Sequence, residues 1–351
     1  MTATRLWALD LIRIVAVVGV VAIHVFAGMV VNAEIRRSAS WWAAVAIDIG
    51  FVWVVPAFVM ISGALLFEPR QHVGGPAHFY RRRLLRLAPA LIFWPFFYFL
   101  VIRTGVSGQP ITRAAIASFV LDGRPYTHLY FLWLIVGLYA ITPVLAAFLR
   151  DGGRRRALIL AAGVLAATVI TSSSSSLLGA LGEPRPLTLM ALTQWLPYVG
   201  YFVAGWALRD VVLRGWRLVG AIAGTLIALA VPILQYGTRP DLSMLDAVAP
   251  VSYFGLFVAA AAIGIFVCVK SLLAEWRPAE TTTRLLRELS DSAFGVFLIH
   301  FALMVIIRRI APFDRADGSI SLSLLEWLFV VVLSFLMVMG MRRAPLVRRL
   351  V

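Results

Sequence analysis

The sequence predicts an all-α polytopic membrane protein with ten transmembrane helices around a polar cavity and both termini in the cytoplasm. Three observations predict it. Of 351 residues, 61% are hydrophobic and only 14% charged, whereas a soluble globular protein carries about 25% charged residues. Apolar stretches of about 18 residues or more, long enough to span a bilayer, recur along the whole length. The first of them carries an arginine and a histidine on one helical face, which cannot face lipid and calls for a polar cavity between helices.

The ten spans are expected at about 9–31, 41–67, 84–102, 129–149, 157–178, 192–213, 217–235, 251–274, 290–310 and 321–341. The distribution of basic residues supports this assignment. With the N-terminus inside, 21 of the 32 basic residues fall on the cytoplasmic side, Arg5 among them; 10 fall outside, and Arg13 lies in a span. Omitting one span inverts the downstream half and spoils the bias. The N-terminal apolar run is too long for a cleavable signal and contains Arg13, so it is expected to be the first span. No linker separates domains, and residues 1–351 are expected to form a single membrane domain with no separate soluble domain. The longest segment between spans, 103–128, is rich in glycine and proline. It lies on the outer side and has the length to dip back into the bundle.

A net charge of +15 would raise the question of nucleic acid in a soluble protein. Here the basic residues flank spans and set topology, and no nucleic-acid partner is expected. The single cysteine, Cys268, permits no intramolecular disulfide. The five histidines are scattered without metal-ligand spacing, so no metal site is expected.

Candidate chemistry begins in the first span. Eleven helical steps bring His24 to within roughly 20° of Arg13, about 16 Å further along the axis. Asp10, three residues before Arg13, shares the same stripe and can pair with it. A cavity-facing histidine is suited to general-base work, since imidazole titrates near neutral pH. The third span is entered through Phe79-Tyr-Arg-Arg-Arg-Leu-Leu-Arg86. Arg82, Arg83 and Arg86 at a helix entrance can grip phosphates by forked hydrogen bonds, with Arg83 and Arg86 on one face. A cytoplasmic phosphate-bearing donor such as coenzyme A fits that chemistry; so does ordinary anchoring of the helix at the inner interface. At the outer entrance of the fourth span, His128, Tyr130 and Trp133 are placed either to frame an outer hydroxyl substrate or to form an interfacial aromatic belt. His300 lies midway through the ninth span. Asp48 and Glu326 are intramembrane acids near the outer side, each able to orient an imidazole or pair with an arginine.

Taken in order, these pieces resemble the acyltransferase-3 family of bacterial integral membrane O-acyltransferases. The resemblance rests on Leu9-Asp10-x-x-Arg13-x10-His24, Val55-Pro56-Ala-Phe-Val-Met-Ile-Ser62-Gly63, Tyr80-Arg-Arg-Arg83-Leu-Leu-Arg86, His128-Leu-Tyr-Phe-Leu-Trp133, Leu138-Tyr-Ala-Ile-Thr-Pro143, Gly200-Tyr-Phe-Val-Ala-Gly205 and the segment ending at His300. It covers nearly the whole chain. The look is that of the standalone branch that includes the enterobacterial common antigen O-acetyltransferase; the extracellular esterase-like domain fused to some relatives is not present in this sequence. The family's paired aromatics before Ile-Ser-Gly are Phe58-Val59 here, and Tyr130 replaces the usual tryptophan after the fourth-span histidine.

The resemblance implies an acyl-coenzyme A donor on the cytoplasmic side, acetyl-coenzyme A first among them, with no bound cofactor. It also implies transfer to a hydroxyl of a surface or lipid-linked glycan, in the bacterial cytoplasmic membrane. His24 is then the expected general base and Arg13 the group that steadies developing negative charge. Arg83, Arg86 and Arg82 are expected to bind the donor. Asp10, Asp48, His128, Tyr130, Trp133, His300 and Glu326 are expected to support the site or frame the acceptor. Membrane lipid and the two substrates are the expected partners, and a homo-oligomer is compatible with all of this. Two other readings stay open: acyl transfer to a small molecule such as an antibiotic sugar, and a non-enzymatic transporter or exporter, which broken helices around a polar cavity also permit.

Overall fold

The structure is a computed structural model and describes residues 7–239 and 243–351. Arg5, counted on the cytoplasmic side above, lies outside the described residues. Among the described residues there are helices and turns but no strand. Lipid imposes that economy, because a helix satisfies its own backbone polar groups. The helices are α1 (Trp7–Val31), α2 (Ala39–Gly50), α3 (Val54–Leu66), α4 (Gly75–Phe96, continued by a π-helical stretch Phe97–Val106), α5 (Arg113–Val120), α6 (Tyr130–Ala180), α7 (Val199–Ala207), α8 (Trp216–Gly237), α9 (Ser243–Val248), α10 (Leu256–Leu272), α11 (Glu280–Ile307) and α12 (Ile320–Arg343).

Among the described residues, seven helices are long and apolar enough to cross a membrane: Trp7–Val31, Ala39–Leu66, Gly75–Val106, Tyr130–Ala180, Trp216–Gly237, Glu280–Ile307 and Ile320–Arg343. The difference from ten has local causes. The expected fourth and fifth spans run together as α6, 51 residues long and broken only at Gly153. With φ 56° and ψ −155°, that break needs a residue without a Cβ. The expected sixth span is shorter than predicted. Two 3-10 turns, Ala191–Thr193 and Leu196–Tyr198, precede the brief α7. The expected eighth span is helical only over the 17 residues of α10. The second is interrupted at 51–53, and Pro56 falls in the first turn of α3, where its missing N–H leaves no hydrogen bond unmade. Segment 103–128 carries α5, whose Phe119 ring meets Phe96 and Phe99 of α4 at 5.3 and 5.1 Å.

The bundle closes around α1, which packs on α2, α3, α11 and α12. Ser290 lies beside Asp10 and Arg13, His300 beside His24, and Arg308 beside Val25. Residue numbers rise together along the two helices, so α1 and α11 run parallel. Two of the quoted motifs meet where α3 crosses α7. A Cβ on Gly63 would strike the Phe202 carbonyl, and one on Gly205 would strike the Met60 carbonyl. Backbones this close need small residues, which drive helix association in lipid through packing.

Gly205→Val is therefore expected to destabilise the protein by about 1–3 kcal/mol or more, the usual cost of forcing atoms into a filled site. The thermal unfolding midpoint of the purified protein in detergent measures it. Gly224→Val, where open space surrounds the position, serves as control and is expected to leave the midpoint within a degree or two of wild type.

Candidate active site

A cavity of about 780 Å³ opens among α1, α3, α4, α6 and α11. It gathers most of the charge that the sequence placed on separate segments. Arg13, Arg83 and Arg86 line it, joined by Arg70 and Arg209, against the carboxylates of Asp10, Glu68 and Asp291. Arg82, by contrast, is exposed and outside this lining.

Each arginine is held differently. Arg13 donates to Ser290 Oγ at 2.9 Å, and Ser290 donates in turn to Asp10 Oδ1 at 2.6 Å. The Arg13–Asp10 separation is 3.6 Å. The pairing expected at i, i+3 is present, and the serine of α11 ties it to a second helix. Arg83 donates to Gln71 Oε1 at 2.6 Å. Its guanidinium sits 5.5 Å from the Phe79 ring centre and 5.7 Å from that of Tyr139. Such ring contacts favour a cation and hold its fork in a fixed plane. Arg209 pairs with Glu68 at 3.1 Å, and Glu68 also pairs with Arg70. The result is a net-positive chamber with planar donors, suited to phosphate.

Away from the arginines the lining turns aromatic. Phe58, Phe131 and Phe297 face the cavity. Directly behind Phe297 stand three histidines. Phe297 lies 5.4 Å from His128 and 6.2 Å from His300, ring centre to ring centre. His24 stacks on His300 at 5.4 Å and meets His128 edge-on at 6.2 Å; His128 and His300 are 5.1 Å apart. The fold thus joins histidines from α1, the segment before α6, and α11. Phe301 packs against His24 and His128. No group of three or more His, Cys, Asp or Glu among the described residues is arranged to hold a metal ion.

The hydrogen bonds fix what these rings can do. His300 Nδ1 lies 2.8 Å from the Phe297 carbonyl and 3.2 Å from that of Val296. A carbonyl only accepts, so Nδ1 carries the proton. Nε2 of the neutral ring is then an acceptor, and it is buried without a partner. His128 is 2% exposed and makes no well-formed hydrogen bond at either nitrogen, the nearby Leu298 carbonyl being taken by Tyr98. Buried polar atoms left unpaired are costly and uncommon. A cluster of them marks a place where substrate completes the hydrogen bonding.

Tyr98, at the start of the π-helical stretch, was not picked out from sequence. Its hydroxyl accepts from the Ala302 N–H at 3.0 Å and donates to the Leu298 carbonyl at 2.7 Å. Those two groups would bond to each other in an undisturbed helix, so the phenol is wedged into α11 one turn around His300. Its ring also lies 4.8 Å from His128. Arg308 was counted only as an outer charge. It donates to Glu326 at 2.7 Å, bonds Asp317, and donates to the Val25 carbonyl at 2.8 Å. Glu326, wholly buried, thus pairs with an arginine rather than an imidazole, and the pair grips α1 one residue beyond His24. Ser290, Arg70 and Arg209 were likewise visible only as members of longer motifs or as basic flanks.

Three expected site residues lie elsewhere. Tyr130 lies beside Tyr198 and Tyr253, with Arg124 5.7 Å from its ring centre. Asp48 lies near Tyr253 on that same side. Trp133 packs beneath Gly123 in the connection before α6. None of the three lines the cavity.

Compared with known proteins, the chain matches a family model described as an acyltransferase domain over residues 6–343. No curated protein and no solved structure matches it.

Breaking the ion pair at the outer end is expected to weaken the bundle. Glu326→Gln leaves the partly buried Arg308 guanidinium with the half-exposed Asp317 as its remaining carboxylate and should cost about 3 kcal/mol, at the low end for a buried pair. The double replacement Glu326→Leu/Arg308→Met should recover more than half of that loss, read from unfolding midpoints of the single and double variants.

Proposed function

The chain belongs to the acyltransferase-3 family, and we propose that it is an O-acyltransferase of the bacterial cytoplasmic membrane. On this reading it moves an acyl group, acetyl in the first instance, from cytoplasmic acyl-coenzyme A to a hydroxyl of a cell-surface or lipid-linked glycan. One observation carries the reading. A single cavity holds the phosphate-suited arginines in one region, and its aromatic end abuts the three histidines. The donor serves as substrate, not as a resident cofactor, and within the family the chain is read as a member of the standalone branch.

The chemistry follows from that polarity. Arg83 and Arg86, with Arg209 and Arg70 beside them, hold the donor's phosphates at the basic end. The pantetheine arm then runs past Arg13 toward the histidines. His24 takes the proton from the acceptor hydroxyl as its oxygen attacks the thioester carbonyl. The tetrahedral intermediate collapses with cleavage of the C–S bond. Coenzyme A leaves as thiolate and is protonated, and the acyl group remains as an ester on the acceptor. Unpaired imidazole nitrogens on His128 and His300 offer hydrogen bonds to the acceptor or to the developing oxyanion.

The orientation is part of the same proposal. Counting the seven long helices as single crossings makes α11 the sixth, which would oppose it to α1. The parallel run of α1 and α11 is instead met if α6 crosses twice at the Gly153 break and α7 and α10 each complete a crossing. That count gives ten crossings and puts both termini on the side of Arg83 and Arg86, the cytoplasm by the charge bias.

Purified protein incubated with acetyl-coenzyme A and candidate glycans is expected to release free thiol and form ester. His24→Ala should lower turnover by about 10²–10⁴-fold, the usual contribution of a general base. Arg83→Ala should raise KM for the donor with a smaller effect on kcat. Full turnover in the His24 variant, or uptake of glycan without acyl release, would overturn the assignment.

A further inference from the structure

The cavity and the histidines are adjacent but not continuous, and aromatic rings stand between them. Phe58 and Phe131 approach to 6.1 Å, Phe131 and Phe297 to 5.1 Å, and Phe297 then contacts His128 at 5.4 Å. The three rings come from α3, α6 and α11 and converge at one end of the chamber. The rings themselves present no polar atom, and the nearby Ser62 hydroxyl is turned onto the Phe58 carbonyl. Phe131 is 8% exposed and Phe297 6%, so each is seated in the packing, and opening a way past them disturbs packed neighbours.

We propose that Phe58, Phe131 and Phe297 form an apolar partition that sets the length of the acyl group. This rests on the acyl-transfer reading above. A thioester that reaches His24 must place its acyl end against or between these rings, since the charged groups lie on the other side. An acetyl group adds a single methyl to the carbonyl and needs the smallest opening between the rings to bring that carbonyl to the histidines. Each further methylene must displace ring atoms that are already packed, and close-packed walls resist such insertion. The same wall keeps water away from the thioester, which favours transfer over hydrolysis. Phe131 is the decisive residue, because it touches both neighbours and carries none of the reacting groups.

The test compares acetyl-, butyryl-, hexanoyl- and palmitoyl-coenzyme A with wild type, Phe131→Ala and Phe297→Ala, measuring thiol release with and without acceptor. Phe131→Leu and Phe297→Leu are carried in parallel in case the alanine variants fail to fold, as judged by monodispersity and unfolding midpoint. Wild type is expected to lose at least tenfold in kcat/KM between acetyl and hexanoyl donors. Phe131→Ala is expected to raise the hexanoyl-to-acetyl ratio at least tenfold, Phe131→Leu by a few-fold, and Phe297→Ala to raise acceptor-independent thiol release. Folded variants with an unchanged chain-length profile would overturn the partition while leaving acyl transfer intact. A wild type that releases thiol from none of the four donors, with any acceptor, would overturn both.

Discussion

Everything in this bundle depends on how α1 satisfies its own polar stripe inside a membrane. Asp10, Arg13 and His24 lie on one face of a helix that is otherwise apolar. Lipid cannot solvate them, so protein must. The partner is α11, running parallel. Ser290 answers Asp10 and Arg13 at one end, and His300 stacks on His24 further along. Beyond them Arg308, anchored by Glu326 of α12, binds the Val25 carbonyl. Three attachments spaced along one seam fix both the rotation and the axial position of α1. A shift of either helix by one turn would break all three together.

That seam also explains why the cavity has two chemical ends. The Asp10–Ser290–Arg13 clasp faces the same space as Arg83 and Arg86, so fixed charge gathers there. Charge in a low-dielectric surrounding is costly unless paired, and Glu68, Asp10 and Gln71 supply partial compensation without cancelling the excess of arginine. Past the clasp, phenylalanines replace charged residues. An anion of the right shape completes the pairing at one end, while an apolar tail meets the other. A phosphate-bearing thioester has that division of polarity along its length.

Much of this was legible in the sequence because it followed from local geometry. The Arg13–His24 stripe needs only the helical repeat, and the approach of Arg83 to the cavity follows from its place at a helix entrance. The glycines of Ser62-Gly63 and Gly200…Gly205 were visible as motifs, but that Gly63 and Gly205 pack against each other's helices was not, since nothing local pairs α3 with α7. Long-range partners were the systematic gap. Glu326 could pair with any arginine until the fold brought Arg308 to it. Ser290 was only the first residue of the segment ending at His300 until α1 lay beside it. Tyr130, Trp133 and Asp48 were grouped with His128 because they are near it in sequence or in expected depth. In the fold they turn to a tyrosine cluster and a loop, because adjacent positions on a helix face different neighbours. The count of spans was blurred for a related reason: apolar runs mark membrane depth, whereas the Gly153 break and the 3-10 turns before α7 decide where helices begin and end.

The histidines show what the rigid frame accomplishes. An imidazole in a protein interior is usually oriented by hydrogen bonds at both nitrogens, and that leaves none for a substrate. Here orientation comes from the backbone and from ring packing. The Tyr98 hydroxyl, inserted between Leu298 and Ala302, holds α11 open at the turn that bears His300 and places its own ring against His128. Only His300 Nδ1 is spent, on the Phe297 carbonyl. The remaining unpaired nitrogens on His128 and His300 carry a desolvation cost that the seam and the wedge must offset. In return, the strongest hydrogen bonds available to those nitrogens are the ones a bound acceptor makes. Preorganisation of this kind places the cost in folding rather than in the reaction step, and it accounts for a bundle so firmly tied around three rings that are themselves so sparsely bonded.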